Sequence, residues 1–182
     1  MMRSLRLLPF LMAVLVFPLT GCTGYSQAAF AAKDMGERRI YQNEAEEGDA
    51  EAQYRLGESW CCSIGHPTHI HNNQTATEWL CKSAHQNFAA AQLELSRIYA
   101  GRPFQYNSMK RLIEKAEGAP TNLPAALMWA RLAQSNGDDD AADLIKTITD
   151  EMSVDELALA DQMSKTWSSQ PCTWDRTIGQ TD

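Results

Sequence analysis

The sequence predicts an all-α fold, a short α-solenoid of about three stacked helical hairpins, and three observations carry that expectation. First, alanine recurs at helical spacing and β-branched runs are few, so no strand pattern competes. Second, the chain aligns with itself. "GDAEAQYRLGESW" (48–60) laid over "NFAAAQLELSRIY" (87–99) pairs Ala50 with Ala89, Ala52 with Ala91, Gln53 with Gln92, Leu56 with Leu95 and Trp60 with Tyr99, at an offset of 39 residues. "WLCKSAHQNFAAA" (79–91) laid over "WARLAQSNGDDDA" (129–141) pairs the two tryptophans, and Ala91 with Ala141, at an offset of 50. Third, a half-copy comes before the first unit: Tyr41, Ala45 and Gly48 stand where the next copy has Leu80, Ala84 and Asn87. Each unit alternates an alanine-rich helix A with a Trp-led helix B. One such pair cannot bury its apolar face alone, so neighbouring pairs are expected to stack.

In chain order, residues 1–21 read as an export signal. "MMRSLRLLPFLMAVLVFPLTGC" places Arg3 and Arg6 before an apolar run from Leu7 to Phe17 that is too short to span a bilayer, and it ends in small residues. Pro9 and Pro18 argue against a buried helix there. Leu19-Thr20-Gly21-Cys22 resembles the bacterial lipobox, which implies cleavage before Cys22 and lipidation of its thiol. Two or three acyl chains anchor stably where one binds only marginally. By the same resemblance, Thr23 after the cysteine directs the product to the outer membrane of a Gram-negative cell, facing the periplasm. Losing two arginines with the signal takes the formal charge from −7 to −9. That balance argues against a nucleic-acid partner and against broad contact with anionic headgroups. Residues 22–36, small and polar without a strong period, read as a lipidated tether.

The repeat region is expected over residues 37–168. Trp60 closes the first helix A, 75–84 forms its helix B, and Pro67 forbids a continuous helix between them. Between Tyr99 and Trp129 the second unit carries 11 more residues than the first has between Trp60 and Trp79, and "MKRLIEKAEG" (109–118) there reads as a short helix. Insertions in stacked repeats fall on one face and often touch a partner. Phe104, Tyr106, Lys110 and Arg111 are therefore the candidate partner contacts, set against a helix packing on its own unit. Asp138, Asp139 and Asp140 precede a helix start, where negative charge is favoured. Ser153 and Glu156 have capping-box spacing, followed by apolar Leu157, Leu159, Ala160 and Met163. Residues 169–182 form a C-terminal tail without helical pattern.

"AEEGDAEAQYRLGESW" followed by "TATEWLCKSA" resembles the Sel-one-like repeat (SLR) family, relatives of the tetratricopeptide repeat. Ala45, Gly48, Ala52, Leu56, Gly57 and Trp60 fit the family's helix A, and Trp79, Lys82 and Ala84 its helix B. Asn87 and Ser96 replace glycines in the second copy, and the third loses the leucine-glycine pair. The resemblance implies a non-enzymatic scaffold that binds another protein, here an unidentified partner in the cell envelope. Hydrolase activity, assigned to some cysteine-rich exported members, enters by analogy alone. No nucleophile elbow, phosphate-cradling loop or helical His-Glu-x-x-His stands in the chain.

"WCCSIGHPTHIH" (60–71) admits three chemistries. Cys61, Cys62, His66, His69 and His71 could ligate zinc or copper, which makes a metal-binding envelope protein the alternative function. With Cys22 lipidated, Cys61, Cys62, Cys81 and Cys172 are an even set in an oxidising compartment, which favours disulfides. Closure between Cys61 and Cys62 makes a strained eight-membered ring, so the favoured expectation joins one of the pair to Cys81 and the other to Cys172. A thiol catalyst is disfavoured, because a helix C-terminus raises a thiol pKa. The preferred reading has no catalytic residue, no cofactor and structural cysteines.

Overall fold

Alternation of alanine-rich and Trp-led segments produces a chain of helices in which each of the first five packs on the next. The computed structural model describes residues 21–62, 72–101 and 121–169. Among these there are seven α-helices and no strand: α1 (Gly21–Glu47), α2 (Ala50–Trp60), α3 (Asn73–Ala84), α4 (Ala89–Tyr99), α5 (Leu123–Ser135), α6 (Ala141–Thr149) and α7 (Val154–Thr166), closed by a 3-10 turn, Trp167–Ser169. α5 packs on both α6 and α7.

The offsets of 39 and 50 reappear in the hydrogen bonds. Helices α1, α3 and α5 end on Gly48, Asn87 and Gly137, whose φ angles are 102°, 63° and 94°. Left-handed backbone favours glycine, with asparagine the best substitute, which is why Asn87 replaces a glycine here without breaking the turn. Each turn closes with the same two bonds. The Gly48, Asn87 and Gly137 amides donate to the Ala45, Ala84 and Gln134 carbonyls, and the Asp49, Phe88 and Asp138 amides to those of Glu44, Ser83 and Ala133. Two N-caps repeat as well: the Asn72 side chain accepts from Thr75 N–H, and Asn122 from Ala125 N–H, both at 3.1 Å. The residues that cap α3 and α5 also close the chain at their base, Asn72 N–H to Trp60 C=O and Asn122 N–H to Tyr99 C=O, each 2.9 Å.

The core follows the same registers. Ala52, Ala91 and Ala141, one per helix A, are buried, as are Leu56 and Leu95 a turn later. Two buried amides tie the helices together. Gln53 donates to Ala45 C=O at 3.0 Å and accepts from Gln86 at 2.9 Å. Gln92 repeats this in the next copy, donating to Ala84 C=O at 2.9 Å and accepting from Asn136 at 2.8 Å. Close approach differs between copies. A Cβ on Gly57 would meet Leu80 Cγ at 2.7 Å, so only glycine lets α2 reach α3 over that leucine. At the equivalent position α4 carries Ser96, which donates to Ala126 C=O at 2.7 Å, and Ala130 occupies the register of Leu80. A larger residue on one helix is matched by a smaller one on the other.

The predicted capping box is present: Ser153 Oγ accepts from Glu156 N–H, while Ser153 N–H and Oγ donate to the Glu156 carboxylate at 2.8 Å. Of the apolar set on α7, Ala160 is buried and Leu157 and Met163 pack on the core, but Leu159 points outward. Residues 22–36, expected as a tether, are helical as the first half of α1. Their alanines favour helix, and Asp34 is already buried. Arg38 then fastens α1 to α2: its guanidinium lies 3.6 Å over the Trp60 ring, and it donates to Ser59 Oγ at 3.3 Å and to Ser59 C=O. Burial holds the Arg38 pKa below its ordinary value, against the raising influence of Asp34. Among the described residues, no helix is long and apolar enough to cross a membrane.

Candidate functional site

The end of α2 and the facing turn of α4 bring together the most chemically varied side chains among those described. Helix α2 presents Tyr54, Arg55 and Glu58, then delivers the chain into Cys61, whose amide caps the helix by donating to Gly57 and Glu58 C=O. Helix α4 presents Glu94 and Arg97. Positions 55 and 94 are equivalent at the offset of 39, as are 58 and 97, so the two copies carry the same ion pair with its charges exchanged. Arg55 meets Glu58 at 3.5 Å, and Arg97 meets Glu94 at 3.4 Å. The exposed pair contributes little to stability. Glu94 is only 4% exposed and is held in place on its own helix by Arg97.

Tyr54 joins the two faces, with its ring 5.4 Å from that of Phe88. Burial, then a hydrogen bond to Glu58, then the negative charges of Glu58 and Glu94 drive its phenol pKa far above the ordinary value. It stays protonated and serves as a hydrogen-bond donor.

The cysteines depart from the expected pairing. Cys61 and Cys62 are joined to each other, and the peptide between them is cis. The Cys61 sulfur faces α4, with Glu94 Oε1 at 4.0 Å. The expectation that this pair divides between Cys81 and Cys172 is therefore corrected. Cys81 also stands in a disulfide, with a partner that is neither Cys61 nor Cys62. Cys22 lies in the first turn of α1. The remaining sequence candidates, namely Cys172, His66, His69, His71, Phe104, Tyr106, Lys110 and Arg111, lie outside the described residues.

Sequence reasoning passed over Glu94, because a glutamate in a helix reads as part of a solvated face. The readable signal was its register: it shares the position of half-exposed Arg55, but the loop-proximal end of α2 covers it. A second feature is an open groove of about 600 Å³ between α1 and α2, lined by Tyr41, Glu44, Glu47, Asp49, Glu51 and Ala52. Asp49 is committed there to capping α2, accepting from Ala52 N–H at 2.7 Å. At the far side of the fold, His85 stacks on Trp167 and meets the edge of Trp129, tying the end of α3 to α5 and to the turn after α7. No protein-family model matches this chain, and no curated protein matches it either.

Proposed function

We propose that this chain is an exported lipoprotein, anchored through Cys22 in the outer membrane and facing the periplasm, whose SLR-type helical solenoid binds another protein of the cell envelope without catalysing a reaction. The recurrence of turn, cap and buried-amide bonds at offsets of 39 and 50 carries this reading. Such recurrence supports a reading as stacked units held by nearest-neighbour contacts. The exchanged ion pairs on α2 and α4 and the acidic groove beside them give the scaffold a charged, sculpted surface. With Cys61 and Cys62 closed on each other and Cys22 lipidated, the cysteine count leaves Cys172 as the candidate partner of Cys81.

The test is in-cell photo-crosslinking from Glu51 and Arg55, compared with crosslinking from Asp155 on α7. Reproducible capture of one envelope protein from the α2 positions alone supports the proposal. Equal capture from all three positions, or none, refutes a specific binding face. The anchor is tested separately, since Cys22→Ala is expected to release the protein from the membrane fraction. Unchanged partitioning would sink that part of the reading.

A further inference from the structure

We infer that Cys61, Cys62 and Glu94, once the cysteine pair is reduced, form a binding site for a thiophilic divalent cation of the zinc or cadmium class. The two sulfurs and a Glu94 carboxylate oxygen lie within 4.8 Å of one another, although the cysteines come from the end of one repeat unit and the glutamate from the next. Cys61 is 2% exposed and Glu94 4% exposed, whereas Cys62 is partly open to solvent and gives an entry path. Arg97 pairs with Oε2 of the Glu94 carboxylate, and Oε1 is the oxygen that faces the Cys61 sulfur at 4.0 Å.

Two thiolates and one carboxylate match the ligand preferences of zinc and its heavier congener, not those of magnesium or calcium, which take oxygen sets. Three protein ligands leave a fourth position for water or an incoming group. In the disulfide form the sulfurs are bonded to each other, so the site is closed. An external dithiol opens it: two electrons and two protons convert the disulfide to two thiols, and the reductant becomes a disulfide. The divalent ion then displaces the two thiol protons as it binds. Cation capture is thus conditional on reduction. It is independent of the scaffold reading and leaves that reading untouched if it fails.

The test titrates cadmium into the full mature chain, before and after reduction, reading the thiolate-to-metal charge-transfer absorption and the bound metal by dialysis. After reduction, one equivalent is expected to bind with the thiolate band, and the band is retained in Cys81→Ser. Cys62→Ser is expected to lose it, and Glu94→Gln to bind at least tenfold more weakly with its helical signal intact. A readout without substitutions is alkylation of Cys62 in the reduced chain, which stoichiometric zinc is expected to slow at least tenfold. The inference is overturned if cadmium binds equally before reduction, if Cys62→Ser or Glu94→Gln binds like the parent, or if zinc leaves Cys62 alkylation unchanged.

Discussion

Replacing Gly57 by alanine sets two opposing effects against each other, and the structure decides which wins. In an ordinary helix interior, alanine is more stable than glycine by about 1 kcal/mol. At position 57 the new methyl carbon would sit 2.7 Å from Leu80 Cγ and 3.0 Å from both Leu80 Cδ2 and Leu80 N. Carbon pairs are comfortable at about 3.5–4.0 Å. Leu80 is fully buried, and its backbone nitrogen is fixed within α3, so α2 and α3 must separate. Overpacking of this kind costs about 1–3 kcal/mol. The net expectation is a loss of up to about 2 kcal/mol, or a Tm lowered by up to roughly 8 °C in a domain of this size. Urea and thermal unfolding followed by circular dichroism read it directly. Gly36→Ala is the matched control: it too lies within a helix, with nothing within 4 Å of the added carbon, and it is expected to gain up to about 1 kcal/mol. A double-mutant cycle with Leu80→Ala isolates the clash, because truncation should cost at least about 1 kcal/mol less in the Gly57→Ala background. Gly57→Ala more stable than the parent, as Gly36→Ala is expected to be, or a cycle without coupling, would refute the close-approach argument.

Four further outcomes follow from the same packing. Thr77 Oγ1 is buried without a hydrogen-bond partner, and the equivalent position one register on is Leu127. Thr77→Val is therefore expected to stabilise by about 1 kcal/mol in urea melts, and a loss would show that the hydroxyl is satisfied. Gln92→Ala removes the side-chain donor to Ala84 C=O, which keeps its bond from Asn87 N–H, takes away the Asn136 acceptor and opens a cavity, and should cost about 1–3 kcal/mol; Gln53→Ala should behave alike, and less than about 0.5 kcal/mol for both would dismiss the buried amides as anchors. Hydrogen bonds from the Ser153 backbone and then its hydroxyl lower the Glu156 pKa, so its capping contribution is fully present above the ordinary glutamate range and is lost as pH falls through the lowered folded value. Glu156→Gln should flatten that acid limb of the stability curve, and an unchanged pH profile would contradict the assignment. Non-reducing peptide mapping should recover Cys81 linked to Cys172, a closure worth about 4–5 kcal/mol on the chain-entropy model; a free Cys172 thiol would rule it out.

Much of the helical framework was legible in the chain. Ala52, Ala91 and Ala141 announce their registers because small residues recur only where helices approach closely, and Ser153 with Glu156 announces a helix start through a local bond. Asn72 and Asn122 were equally readable, 50 residues apart and each three residues before a capped amide, yet they sit beside segments whose composition draws attention elsewhere. The pairing of Cys61 with Cys62 was not readable, because it depends on which way the chain turns as it leaves α2. Nor was the burial of Glu94: charge alone marks a surface residue, and only the neighbouring unit covers this one. The reach of helix into residues 22–36 was hidden because those alanines have no strong apolar period to mark a face.

The amide-to-carbonyl bonds Asn72–Trp60 and Asn122–Tyr99 sit at equivalent places and enclose segments of different length, 61–71 and 100–121. The second is twice the first, and a doubling of loop length costs only about 0.6 kcal/mol in closure entropy. A bond that gathers both ends of a segment into the same few ångströms makes the length of what lies between matter little to where the flanking helices begin and end. The length between the two anchors can therefore differ at small entropic cost, while the residues at the rims, Cys61 and Ala100, stay buried against the helices and are not free to change.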